Sequence, residues 1–267
     1  MAIYGSILGA MEQKGMEIAN DLNALVNEVL FNESPNLVAY LESYSATDIH
    51  VMVRYGRWKE LLEVKMPADK NLMLYRAASV LYGRALSWAM SGNYVEAKKE
   101  ADRFDNILKN HPEASERILH NNTVAALLAV DSVMIRGEIA YREGKHDEGL
   151  SLLRKAVYLQ DNLNFDEPRG KMQPIRHALG GLLLEQGQII EAEAVFRKDL
   201  VFHPRNPWAL VGLIRCLQQR SDPACCTNED ELTEICKLKE QLRIQRQMEW
   251  ADYDVVVPCE CCIHPSE

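Results

Sequence analysis

The residues best suited to chemistry lie near the C-terminal end, where Cys259-Glu-Cys261-Cys262 is followed by His264. Four further cysteines precede them, and Cys225, Cys226 and Cys236 are the nearest along the chain. Thiolates and imidazole are the usual ligands of tetrahedral zinc, although the sequence does not contain two C-x-x-C motifs that could act as a pair. Two interpretations stay open: a metal-binding or redox-responsive tail, or free thiols in a loosely ordered tail. The odd count of 7 cysteines favours a reducing compartment, so we expect a cytoplasmic protein.

The remaining motifs give little support to catalysis. The 7 histidines never form H-E-x-x-H, and G-x-S-x-G, Walker A and G-x-G-x-x-G patterns are missing. His177 is the one acid–base candidate, for which Asp166 or Glu167 could supply a carboxylate partner. We therefore predict that the protein is not an enzyme and uses no cofactor.

Composition excludes several other classes of function. The chain has 267 residues, 47% of them hydrophobic and 26% charged, with a formal net charge of −9. This acidic balance argues against a general nucleic-acid binder, which needs clustered lysine and arginine. No apolar run approaches the roughly 20 residues of a membrane span, and the N-terminal segment lacks a basic signal-peptide region.

Apolar residues recur at helical spacing, and glycines interrupt the pattern at three corresponding turns: Gly92, Gly144 and Gly187. Seven residues before these turns the chain carries Ala85, Gly137 and Gly180. Five residues after them it carries Ala97, Gly149 and Ala192. Small residues at matching positions predict close approach between paired antiparallel helices, and Trp208 with Gly212 begins a fourth, partial unit.

This pattern resembles the tetratricopeptide repeat (TPR) family over about residues 72–217. A narrower resemblance, to a subfamily of large TPR proteins, is carried by RYGRW, DNLNFDEP, PIRHALGGLLLEQG, FRKDLVFHPRNPWALVGL and WADYDVVVPCEC. The chain departs from that subfamily at Arg169, Lys171 and Met172, which replace a proline and a Trp-Tyr pair. No reaction is known to us for the subfamily, so the resemblance implies a fold more than a function.

The resemblance implies an all-α fold, a right-handed solenoid of antiparallel TPR-like helix pairs with a C-terminal capping helix. We expect degenerate helical repeats over residues 1–64, the repeat core over 72–220, the capping helix over 228–250 and a Cys-rich irregular tail over 251–267. A chain that opens within a repeat is expected to be a fragment of a longer protein.

TPR solenoids commonly bind an extended peptide or a helix on their concave face. Positions on one face of each first helix give the predicted partner-binding groove: Tyr82, Asp131, Met134, Glu138, Tyr141, Arg142, His177 and Glu185. Its acidic side chains outnumber the basic one, so the expected partner is a neutral or basic protein segment. The alternative is that Tyr82, Met134 and Tyr141 only pack against neighbouring repeats or an inserted loop.

Overall fold

A computed structural model describes residues 1–220, 229–248 and 251–262, and these residues are mostly helical. The first part of the chain forms short helices: α1 (Ala2–Gly9), α2 (Glu12–Leu25), α3 (Glu28–Glu33), α4 (Val38–Leu41), α5 (Thr47–Arg54) and α6 (Trp58–Glu63). Longer helices follow: α7 (Leu74–Met90), α8 (Tyr94–Asn110), α9 (Val124–Arg142), α10 (His146–Asp161), α11 (Ile175–Glu185), α12 (Ile189–Phe202), α13 (Pro207–Arg220) and α14 (Glu229–Arg246). Single 3-10 turns cover Pro35–Leu37, Glu42–Ala46, Pro112–Ser115 and Glu260–Cys262.

The three predicted turn glycines each join two helices that pack together, α7 with α8, α9 with α10, and α11 with α12. Gly92, Gly144 and Gly187 have φ of 77°, 83° and 69°. Only glycine adopts this left-handed backbone conformation without a steric penalty. The prediction of an all-α fold is therefore confirmed, and residues 74–202 contain three helix pairs joined at these glycines.

Small residues lie where these helices approach most closely. A Cβ atom on Gly149 would stand 2.8 Å from the carbonyl oxygen of Gly137, so α9 and α10 approach backbone to backbone. The ring of Phe196 packs against Gly180 of α11 and against Gly212 of α13, and it is fully buried. One aromatic ring therefore fills the space left by two glycines on neighbouring helices.

The two polar segments between helix pairs are not open linkers. The first contains a small antiparallel ladder of β1 (Ile118–Leu119) with β2 (Asn122–Thr123). The second, residues 162–174, enters the interior of the molecule, where Lys171 is 5% exposed. The sequence pattern predicted loops at both places but neither the ladder nor the buried lysine.

Helix α14 packs against α13 and buries Leu238 and Leu242. It covers residues 229–246 of the predicted capping helix, and residues 249–250 lie outside the described part of the chain. None of the helices within the described ranges is both long and apolar enough to cross a membrane.

Candidate functional site

The predicted groove residues lie on α7, α9 and α11, and we call the side of these helices that carries them the inner face. Their side chains are nevertheless almost completely enclosed, with exposed fractions of 4% or less at Tyr82, Asp131, Met134, Glu138, Tyr141, Arg142 and His177. Glu185 alone among the predicted residues is exposed. In this conformation the inner face is covered by other segments of the same chain, so Tyr82, Met134 and Tyr141 make packing contacts as the alternative interpretation expects.

The first covering segment is residues 162–174, which reaches the inner face through Lys171. The Lys171 Nζ atom lies 2.5 Å from Oδ1 of Asp131 and donates a hydrogen bond of 2.6 Å to Oδ2. The same ammonium stands 5.6 Å from the ring centroid of Tyr82, whose hydroxyl donates to the sulfur of Met134 at 3.7 Å. Lys171 is one of the positions at which the chain departs from the sequence pattern it resembles. Its ammonium therefore neutralises Asp131, one of the predicted acidic groove residues.

Glu138 is the groove residue with the fewest compensating contacts. Its two carboxylate oxygens are buried and have no hydrogen-bond partner among the described residues, and Nε of Arg142 lies 3.8 Å from Oε2. Burial raises the pKa of Glu138 to about 7, with Glu185 adding to the rise and Arg142 opposing it. The fold therefore favours the protonated carboxyl group more than water does.

His177 lies in a buried network rather than in an open groove. Arg54 donates to its Nδ1 atom at 2.9 Å, which leaves Nε2–H to donate to Asp199 at 2.8 Å. Asp199 also contacts the imidazole of His203 and the amide of Asn206. Burial lowers the pKa of His177 to about 4, so the ring is neutral at pH 7 although Asp199 opposes this shift.

The carboxylate partner of His177 differs from the one we expected. The structure gives it Asp199, on α12, where the sequence interpretation offered Asp166 or Glu167. Asp166 instead accepts hydrogen bonds from the backbone N–H groups of Asn121 and Glu167. The spacing of residues along the chain could not predict Asp199 as the partner of His177, because this pairing depends on how α11 and α12 pack.

The second covering segment is residues 251–262, which we call the C-terminal segment. It begins at the turn between α1 and α2, where Asp252 accepts from the backbone N–H groups of Gln13 at 3.0 Å and Lys14 at 3.4 Å. Its Tyr253 ring lies 4.9 Å from Tyr55 and 5.8 Å from Trp208, measured between ring centroids. The contacts of Asp252 and Tyr253 therefore fix the N-terminal end of the C-terminal segment.

The other end of the C-terminal segment lies directly on α11. Pro258 and Cys262 occupy the space beside Gly181, where a Cβ atom would stand 3.2 Å from Cγ of Pro258 and collide with the sulfur of Cys262. The thiol of Cys262 contacts the carbonyl oxygen of Ala178 at 3.8 Å. Gly181 thus does more than allow helix packing: its missing side chain makes room for the C-terminal segment.

The thiols of the C-terminal segment lie close together. The sulfur atoms of Cys259, Cys261 and Cys262 all stand within 4.8 Å of one another, and Cys259 is joined to Cys261 by a disulfide. The surrounding side chains raise the pKa of the Cys262 thiol well above its ordinary value, mainly by desolvation. Cys236 is an exposed free thiol, whereas Cys225, Cys226 and His264 lie outside the described residues.

Comparison with known proteins adds no identification: no protein-family model, no curated protein and no solved structure matches this chain.

Proposed function

We propose that this protein is a non-enzymatic interaction module whose TPR-like helix pairs stack as a right-handed solenoid and bind an extended partner segment on the inner face. The observation that carries the proposal is the C-terminal segment. Twelve residues, 251–262, lie against α11 and the helices beside it, irregular except for the 3-10 turn Glu260–Cys262, as a peptide ligand would. A partner would bind by displacing them.

The charges around the C-terminal segment indicate what kind of partner fits. Glu138 and one oxygen of Glu260 are buried without hydrogen-bond partners among the described residues, and Glu185 is exposed beside them. Arg142 is the basic residue among the predicted groove positions. An excess of carboxylates favours a neutral or basic segment, because an acidic one would add like charge to a poorly solvated surface.

Two adjacent valines allow a matched test of this proposal. Val255 is 1% exposed and packs in the core, whereas Val256 is 53% exposed. Val255→Asp would place a carboxylate in an apolar contact and release the C-terminal segment from the inner face. Val256→Asp adds the same charge at the surface and should leave the segment in place.

The full-length variants would be compared for binding to libraries of neutral, basic and acidic peptides of the same length as residues 251–262. Because the resident segment competes for the inner face, we expect Val255→Asp to bind neutral or basic peptides about tenfold more tightly than the wild type does. Val256→Asp should behave as wild type, and acidic peptides should bind weakly.

Hydrogen–deuterium exchange would then locate the bound peptide. Protection of α9 and α11 by the peptide is the expected result. Protection confined to other helices, or peptide binding by none of the three proteins while circular dichroism shows them folded, would contradict the proposal.

A further inference from the structure

We propose that Cys259, Cys261 and Cys262, once their disulfide is reduced, form a three-thiolate site for a zinc ion. The first argument is geometric. Zinc–sulfur bonds of about 2.3 Å place the sulfur atoms of a tetrahedral site about 3.8 Å apart. All three sulfur atoms here lie within 4.8 Å of one another, and those of Cys259 and Cys261 are joined by a disulfide. Once that bond is reduced, ligation requires these two sulfur atoms to separate by about 1.7 Å.

Local backbone structure brings the three thiols together without any distant contact. The 3-10 turn Glu260–Cys262 folds the chain back on itself, and the N–H of Cys262 donates to the carbonyl oxygen of Cys259 at 2.9 Å. Contact with α11 then holds the turn in place, because Cys262 fills the space beside Gly181. The cluster is thus formed by the turn and positioned by the inner face, so it is not an arrangement of loose tail residues.

The charges near the thiols favour a divalent ion. Glu138 and one oxygen of Glu260 are buried and lack hydrogen-bond partners among the described residues. Three thiolates beside such carboxylates are stabilised better by a charge of +2 than by the single charge of Cu(I), which also binds thiolates.

The disulfide sets the condition for binding. Opening the bond between Cys259 and Cys261 consumes two electrons and two protons from a dithiol, which is itself oxidised to a disulfide. Zinc then replaces the protons of the thiols, because only thiolates ligate the ion. The proposal does not depend on partner binding, so either one can fail while the other stands.

The test uses the full-length chain, reduced with a phosphine under anaerobic conditions and compared with the same chain kept oxidised. After zinc is added and loosely bound metal removed, elemental analysis would measure the metal retained. We expect one zinc ion per reduced chain and none on the oxidised chain. Cobalt(II) in place of zinc should give the near-ultraviolet absorption of thiolate-to-metal charge transfer.

Variants distinguish this site from adventitious binding. Cys259→Ser and Cys262→Ser should lose the stoichiometric zinc and the cobalt absorption, whereas Cys236→Ser, at an exposed free thiol, should retain both. Circular dichroism would show that each variant remains helical.

Three results would overturn the proposal: a reduced wild-type chain without zinc, zinc retained equally by Cys259→Ser and Cys262→Ser, or stoichiometric Cu(I) binding with no zinc binding. If a serine variant fails to fold, alkylation of the wild type decides the question. Zinc should slow the modification of Cys262 and leave that of Cys236 unchanged, and equal rates with and without zinc would contradict the site.

Discussion

Replacing Lys171 with methionine tests whether the segment over residues 162–174 is fixed to the inner face by charge. The Lys171 and Asp131 side chains are 4% and 2% exposed, and their charged atoms lie 2.5 Å apart. At an effective dielectric constant of about 20, charges at this distance attract by about 7 kcal/mol. Removing Lys171 also removes the cost of burying its ammonium, so the net loss of unfolding free energy should be about 3–5 kcal/mol.

The loss should depend on pH in a definite direction. Burial already raises the pKa of Asp131, with Lys171 opposing the rise, so the variant should raise it further. A carboxyl group whose pKa is higher in the folded than in the unfolded state stabilises the protein below the unfolded pKa. That stability is lost as the pH rises through the folded pKa. The deficit of Lys171→Met should therefore be larger at about pH 8 than at about pH 5.

Urea unfolding followed by far-ultraviolet circular dichroism would measure these differences. The matched control is Lys99→Met, because Lys99 is 63% exposed and pairs with Glu96 at 3.2 Å. An exposed pair of this kind contributes less than about 1 kcal/mol. The double variant Asp131→Leu with Lys171→Met should recover most of the loss. A Lys171→Met protein as stable as Lys99→Met at both pH values would refute the reasoning.

Three other expectations follow from described contacts. The raised pKa of Glu138 makes its ionisation costly in the fold, so the wild type should lose unfolding free energy as the pH rises from about 5 to about 8. Glu138→Gln should reduce this loss by at most about 3 kcal/mol. Urea unfolding across that pH range measures the difference. Gly212→Ala should lower the unfolding free energy by about 1–3 kcal/mol, because the new methyl group collides with the ring of Phe196. Gly5→Ala has open space around it and should not destabilise the protein. Thermal unfolding compares the two variants. Asp252→Ala removes a hydrogen-bond acceptor from the start of α2, so it should lower the unfolding free energy by about 1 kcal/mol and speed amide exchange there. Asp254→Ala, at a side chain that is 67% exposed, should change neither the unfolding free energy nor the exchange rate.

Local sequence signals were sufficient to predict the helix pairs. The turns at Gly92, Gly144 and Gly187 require a positive φ, which favours glycine. The sequence therefore shows where each turn lies. The small residues at Gly137 and Gly149 likewise record a contact between consecutive helices. Such features depend on neighbours along the chain, so periodicity and spacing reveal them.

The environment of the groove residues could not be predicted in the same way. The partners of Asp131 and His177 are Lys171 and Asp199, and each contact depends on tertiary packing. A lysine in a polar, proline-containing segment is usually exposed, so nothing in the sequence signals that Lys171 is buried. The role of Gly181 was equally hidden, because its partner Cys262 lies 81 residues further along the chain.

The contacts around α1 have a consequence for how this protein unfolds. The carbonyl oxygen of Ile7 accepts from Trp208 at 3.2 Å, and that of Ala10 accepts from the backbone N–H of Tyr253 at 3.1 Å. In repeat proteins whose units touch only their neighbours, folding behaves as a linear chain of nearly independent steps. Here residues far apart in sequence hold each other in place, so the described helices should unfold in one cooperative transition. The same long-range contacts raise the contact order, and folding should be slower than in an open array of helix pairs.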